Sequence, residues 1–133
     1  MARILRFEYW CIEIHRGEGL GMGMLEAMAL GKPVIATNYG GNTEFMNKDN
    51  SLLVDYGWMR PKNLDYKAYK AVGKWADPDI DQAAKYLKKL YANRLFTKKL
   101  GQKAKNFIKT YFNLKNFEQD VKRILEVENA KKD

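Results

Sequence analysis

The spacing of apolar residues changes along the chain, and those changes mark its elements. Residues 8 to 15, Glu-Tyr-Trp-Cys-Ile-Glu-Ile-His, are rich in aromatic and β-branched types and run into a glycine turn, which predicts a strand feeding a helix. That helix is expected over 22–30, stopped by Gly31 with Pro33 just beyond. Pro33-Val-Ile-Ala-Thr37 is continuously apolar, as in a strand buried on both faces of a parallel sheet. Asn38-Tyr-Gly-Gly-Asn42 turns the chain, a short helix is expected near Thr43, and Ser51-Leu-Leu-Val-Asp55 reads as a third strand. Strand, helix, strand, helix, strand with short connections is the pattern of an α/β fold with a Rossmann-like, doubly wound parallel sheet, in which ligands bind beyond the carboxyl ends of the strands.

Residues 57–76 carry Gly57, Pro61 and Gly73 among Trp58, Tyr66, Tyr69 and Trp75 without a clear period, and read as a long ordered loop over the sheet edge. The helical part is expected over 77–128. Asp77 is placed as a cap and Pro78 as the first helical residue, with Ile80, Ala83, Ala84, Leu87 and Tyr91 as the apolar stripe. A second helix carries Leu100, Ala104, Phe107, Ile108 and Tyr111, and a third, after Asn113, carries Phe117, Val121, Ile124 and Leu125. The whole is read as one domain.

Composition sharpens this picture in two places. One cysteine and one histidine exclude an internal disulfide and a Cys/His zinc site. The net charge of +8 belongs to the C-terminal third, where residues 85–133 hold 14 Lys/Arg against 5 Asp/Glu. Such a surplus suits solvated helix faces or an anionic surface. It leaves peripheral membrane contact open, while nucleic acid ranks last because no base-stacking motif accompanies the lysines. Neither an apolar run of about 18 residues nor a cleavable leader is seen, so the cytoplasm is the expected location.

The candidate chemistry lies in Arg16-Gly-Glu-Gly-Leu-Gly-Met-Gly-Met-Leu-Glu26. Glycines at 19, 21 and 23 leave main chain uncovered at a helix start near Met22, where amides and the helix dipole favour an anion. Glu18 precedes the helix and Glu26 lies inside it. Eight helical steps span at most about 12 Å, the reach of a nucleotide sugar and wider than the roughly 5–9.5 Å between the paired carboxylates of a glycoside hydrolase. Arg16 could meet phosphate or stay on the surface, His15 reads as packed or capping, and Glu44 as a first-turn carboxylate.

Taken together, Glu18-Gly-Leu-Gly-Met-Gly-Met-Leu-Glu26, Ala27-Met-Ala-Leu-Gly-Lys-Pro-Val-Ile-Ala-Thr37, the Gly-Gly-x-x-Glu at 40–44 and Asn50-Ser-Leu-Leu-Val-Asp-Tyr56 closely resemble the donor-binding C-terminal domain of group 1, family 4 type, retaining glycosyltransferases of GT-B fold, which carry a Glu-x7-Glu motif. Trp75-Ala-Asp-Pro-Asp79 also looks like the segment opening the late helix in bacterial members. The resemblance implies that Glu18 contacts the transferred sugar near the reacting carbon. It further implies that the main chain at Gly19, Leu20, Gly21 and Met22 receives sugar hydroxyls or phosphate, with Arg16 alongside, and that Glu26 accepts from the ribose hydroxyls. The donor would be a UDP- or GDP-linked sugar, with no metal, and the acceptor a glycan or a lipid-linked saccharide.

Three departures from the family pattern stand out. Gly17 replaces a serine-like residue and Leu20 an aromatic, and nothing before Tyr9 matches the stretch that carries the family's diphosphate-neutralising arginine and lysine. There is no room for the family's N-terminal Rossmann-like half, so the chain is read as a partial donor domain that needs that half. The alternative is a non-catalytic remnant or a domain that docks on a partner.

Overall fold

The computed structural model describes residues 9–60, 73–113, 115–119 and 121–123. Three short parallel strands, β1 (Cys11–Glu13), β2 (Val34–Thr37) and β3 (Leu52–Val54), lie in the order β1-β2-β3, with Cys11 beside Val34 and Ile35 beside Leu52. Helix α1 (Met22–Ala29) joins β1 to β2, and a single 3-10 turn (Gly41–Glu44) stands between β2 and β3. Two longer helices follow, α2 (Ile80–Ala92) and α3 (Arg94–Tyr111). The alternation read from the sequence is present, and so is the helical C-terminal part.

Every residue of β2 is buried, as a continuously apolar central strand requires. Val34 and Ala36 join Met24, Ala27 and Met28 of α1 and Ala104 and Ile108 of α3 in one cluster. Ile35 joins Val54, Ala83, Leu90 and Leu100 in another. Because successive strand residues point to opposite faces, helices cover both sides of the sheet.

Helix α1 stops where Gly31 takes φ 77, letting the Gly31 amide donate to the Met28 carbonyl and the Lys32 amide to that of Ala27, both at 2.9 Å. Helix α3 crosses directly over this stop. A Cβ on Gly101 would overlap the Gly31 carbonyl oxygen, so here helix backbone rests on backbone. Gly101→Ala should therefore lift α3 off α1 and lower the melting temperature by roughly 5–10 °C, corresponding to about 2 kcal/mol of overpacking. Lys103→Ala, on the exposed side of α3, should leave it unchanged.

The segment after β3 departs from its sequence reading. In place of loop at both ends of 57–76, β4 (Tyr56–Met59) pairs antiparallel with β5 (Trp75–Pro78), Trp58 opposite Ala76 and Gly57 opposite Asp77. Residues 61–72, including Tyr66 and Tyr69, lie outside the described residues. Pro78 consequently ends a strand rather than opening a helix, and the cap is Asp79, whose carboxylate accepts from the Gln82 amide at 2.9 Å. Gln82 in turn donates through its side-chain amide to Asp55 at 2.9 Å, which fixes the rotation of α2. The buried stripe is thus Ala83 and Leu90 with Tyr86 and Leu87 half-buried, while Ile80 and Tyr91, expected to be inside, are 63% and 78% exposed. Beyond Asn113, residues 115–119 and 121–123 are helical, but Phe117 and Val121 face solvent; Ile124 and Leu125 lie outside the described residues.

Candidate functional site

The loop from β1 to α1 leaves the carboxyl end of the sheet, and the loop following β2 supports it from below. Thr37, the last residue of β2, donates its hydroxyl to the His15 carbonyl at 2.7 Å, tying the two strand ends together. The His15 ring contacts the Tyr39 carbonyl through Nε2 at 2.6 Å and the Glu13 carbonyl through Nδ1 at 3.2 Å. Both partners are carbonyl oxygens, which only accept, so the ring is the donor side of these contacts. His15 is therefore a strut between loops, the packing role its sequence position suggested.

Gly40 and Gly41 form the bed under the predicted cradle. Gly40 takes φ 98 with ψ −168, a region open essentially to glycine alone, and a Cβ there would stand 2.8 Å from the Glu18 carbonyl oxygen. A Cβ on Gly41 would overlap the Gly19 carbonyl oxygen, and the Gly41 amide donates to the Glu18 carbonyl at 3.1 Å. The sequence reads this glycine pair as part of the turn at 38–42, shortly after a buried strand, and not as a support for the loop before α1. Asn42, fully buried, clamps the same turn by donating to the Thr37 carbonyl at 3.0 Å, and its buried Oδ1 accepts no hydrogen bond among the described residues. Leaving such an acceptor unpaired costs about 1–3 kcal/mol.

Each predicted site residue can now be placed. Glu18 is half-buried, and its Oε1 accepts from the Gly21 amide at 3.1 Å, so one of the expected cradle amides is occupied by the glutamate itself. The amides of Gly19 and Leu20 donate no hydrogen bond among the described residues, and a Cβ on Gly19 would meet nothing within 4 Å. The backbone at Gly19, two residues before the N-cap of α1, thus borders open space on its Cβ side. Met22, the first helical residue, is 54% exposed, and Leu20 is 46% exposed. Glu26 lies half-buried on α1, with no hydrogen bond or ion pair to its carboxylate among the described residues. Arg16 points instead to the ribbon, pairing with Asp77 of β5 at 3.5 Å with both side chains about half exposed. Such an exposed pair contributes at most about 1 kcal/mol and is easily exchanged.

Sequence reasoning also passed over Glu13. Its carboxylate oxygen lies 3.7 Å from where a Gly23 Cβ would be, beside the first turn of α1. Glu44 stands exposed in the 3-10 turn. Among the described residues no three His, Cys, Asp or Glu side chains gather as a metal site.

This arrangement can receive an anion on unpaired amides while offering carboxylates to hydroxyl groups on either side, which is the polarity of a phosphate flanked by polyols. Over 72 residues the chain is 31% identical to the Escherichia coli (strain K12) protein named as the colanic acid biosynthesis glycosyltransferase WcaL. That match takes in 54% of the chain, which spans only 16% of the length of this curated relative. The sequence profile of the glycosyl transferases group 1 matches residues 7–107, across the sheet, the glycine loop, the ribbon and most of the two long helices. The chain belongs to the group 1 glycosyltransferases.

Proposed function

We propose that the chain is the donor-binding domain of a retaining, GT-B, family 4 type glycosyltransferase, moving a hexose from a UDP- or GDP-linked sugar to a glycan or lipid-linked acceptor. The observation that carries this reading is the pair of amides at Gly19 and Leu20, just before α1, which donate no hydrogen bond among the described residues, with the Glu26 carboxylate, likewise without a partner among them, on that helix. The diphosphate sits on those amides and the first turn at Met22. Arg16, released from its weak pair with Asp77, adds positive charge, so helix and side chain compensate the diphosphate without a metal. Glu26 accepts from both ribose hydroxyls, because each carboxylate oxygen is an acceptor. Glu18 gives up its hold on the Gly21 amide to face the transferred sugar, and that amide joins the cradle. Its charge then stabilises the positive character that develops at the anomeric carbon.

An N-terminal Rossmann-like half completes the acceptor site in this proposal, and the protein works in the cytoplasm. Among the described residues no helix is long and apolar enough to cross a membrane. The exposed lysines of α2 and α3, such as Lys85, Lys88, Lys99 and Lys103, supply peripheral contact with an anionic membrane that holds a lipid-linked acceptor.

The test is calorimetric titration with UDP and GDP. One of the two binds the chain, and Glu26→Ala weakens that binding about 10- to 100-fold, the loss of two charge-assisted hydrogen bonds worth about 1.5–3 kcal/mol together. Absence of binding by either nucleotide at millimolar concentration overturns the proposal.

A further inference from the structure

We infer that the aromatic cluster on the β4–β5 ribbon is a platform for a pyranose ring of the acceptor glycan, an inference that rests on the donor reading above. Three rings meet there. Trp58 stands nearly perpendicular to Tyr39 (centroids 5.4 Å apart, 85°) and to Tyr56 (5.2 Å, 86°), and the two tyrosines lie 5.2 Å apart. Edge-to-face packing on two sides holds the indole in place, yet Trp58 is 54% exposed. A large apolar side chain fixed upright in water, rather than folded onto the core, marks a contact surface. A pyranose suits it because one ring face presents C–H groups to an aromatic surface while the rim hydroxyls reach polar neighbours.

The position of the cluster decides which sugar it takes. Tyr39 receives the His15 hydrogen bond through its carbonyl, Arg16 reaches Asp77 of β5, and Gly40, next in sequence to Tyr39, rests on the Glu18 backbone. The ribbon is thereby fastened to the residues around Glu18. Glu26, on α1, touches none of it through a hydrogen bond or ion pair. With the transferred sugar at Glu18 and the ribose at Glu26, the aromatic cluster borders the end of the donor where the acceptor must approach, and not the nucleobase.

The chain has three tryptophans, so its indole N–H resonances form a three-signal probe in a nitrogen-15 spectrum, with Trp58 assigned by its loss in Trp58→Phe. The probes are the methyl α- and β-glycosides of glucose, galactose, mannose and fucose, titrated with and without UDP. At least one should shift the Trp58 signal saturably. Read on the sugar's own signals, Trp58→Leu should weaken binding about tenfold and Trp58→Phe less than about threefold, since phenylalanine keeps a stacking face. Melting curves confirm that both variants fold. No shift at Trp58 with any glycoside, equal sugar binding by Trp58→Leu and wild type, or a Trp58 shift caused by UDP instead would each overturn the inference. UDP binding without sugar binding sinks the platform alone; sugar binding at Trp58 without binding of UDP or GDP sinks the donor reading and leaves the platform standing.

Discussion

Gly41→Ala should lower the stability of the chain by about 2–4 kcal/mol and remove nucleotide binding together with it, the largest loss expected from adding one methyl group. The added Cβ would overlap the Gly19 carbonyl oxygen, and neither backbone can give way cheaply. Gly41 is held by its amide's hydrogen bond to the Glu18 carbonyl, and the turn it opens is clamped by buried Asn42 to the end of β2. Relief of the overlap must therefore push out the loop carrying Gly19 and Leu20, which breaks the 3.1 Å hydrogen bond and misplaces both open amides. Thermal unfolding and calorimetry on the same sample read the two losses. Gly17→Ala is the matched control, because a Cβ there meets nothing within 4 Å and should change the melting temperature by less than about 2 °C. If Gly41→Ala keeps wild-type stability and wild-type nucleotide affinity, the glycine pair is not the bed of the site.

Glu18→Gln should separate the two duties of that side chain. Glutamine keeps an oxygen that can accept from the Gly21 amide, so the turn before α1 holds and the melting temperature stays within about 2 °C of wild type. The negative charge is lost. If it stabilises positive character at the anomeric carbon, donor turnover in the complete enzyme should fall about 100- to 1000-fold while nucleotide affinity changes little. Glu18→Ala removes both duties and should in addition cost about 1 kcal/mol of stability, the usual net contribution of one hydrogen bond. A Glu18→Gln enzyme with undiminished donor turnover would confine Glu18 to holding the turn at Gly21.

What the sequence made legible was local. The continuous apolar run at 33–37 could only be a strand covered on both sides, and its four described strand residues are all buried. Gly31 stopped α1 through a hydrogen-bond pattern written in neighbouring residues. The glycine-flanked pair Glu18 and Glu26 was visible because spacing along a helix start is itself local. What escaped was set by contacts between residues far apart in sequence. The β4–β5 ribbon depends on Tyr56 meeting Pro78, and four-residue strands carry too little alternation to announce themselves. Once Pro78 belongs to a strand, the cap moves to Asp79, and the Gln82 link to Asp55 turns α2 so that Leu90 rather than Tyr91 faces the core. Likewise the partner of Arg16, read as meeting phosphate or staying on the surface, lies 61 residues away at Asp77 on the ribbon. The hold of Glu18 on the Gly21 amide is a side-chain choice that spacing alone does not fix.

Backbone amide shifts report directly where the diphosphate lies. Titration of the nitrogen-15-labelled chain with UDP and with GDP, followed residue by residue, should show one of them moving the amides of Gly19, Leu20, Gly21 and Met22 along a single saturable curve. The Gly21 signal should respond as Glu18 leaves it. Shifts confined to the lysine-bearing faces of α2 and α3, with Gly19 and Leu20 unmoved at saturation, would contradict this placement of the diphosphate.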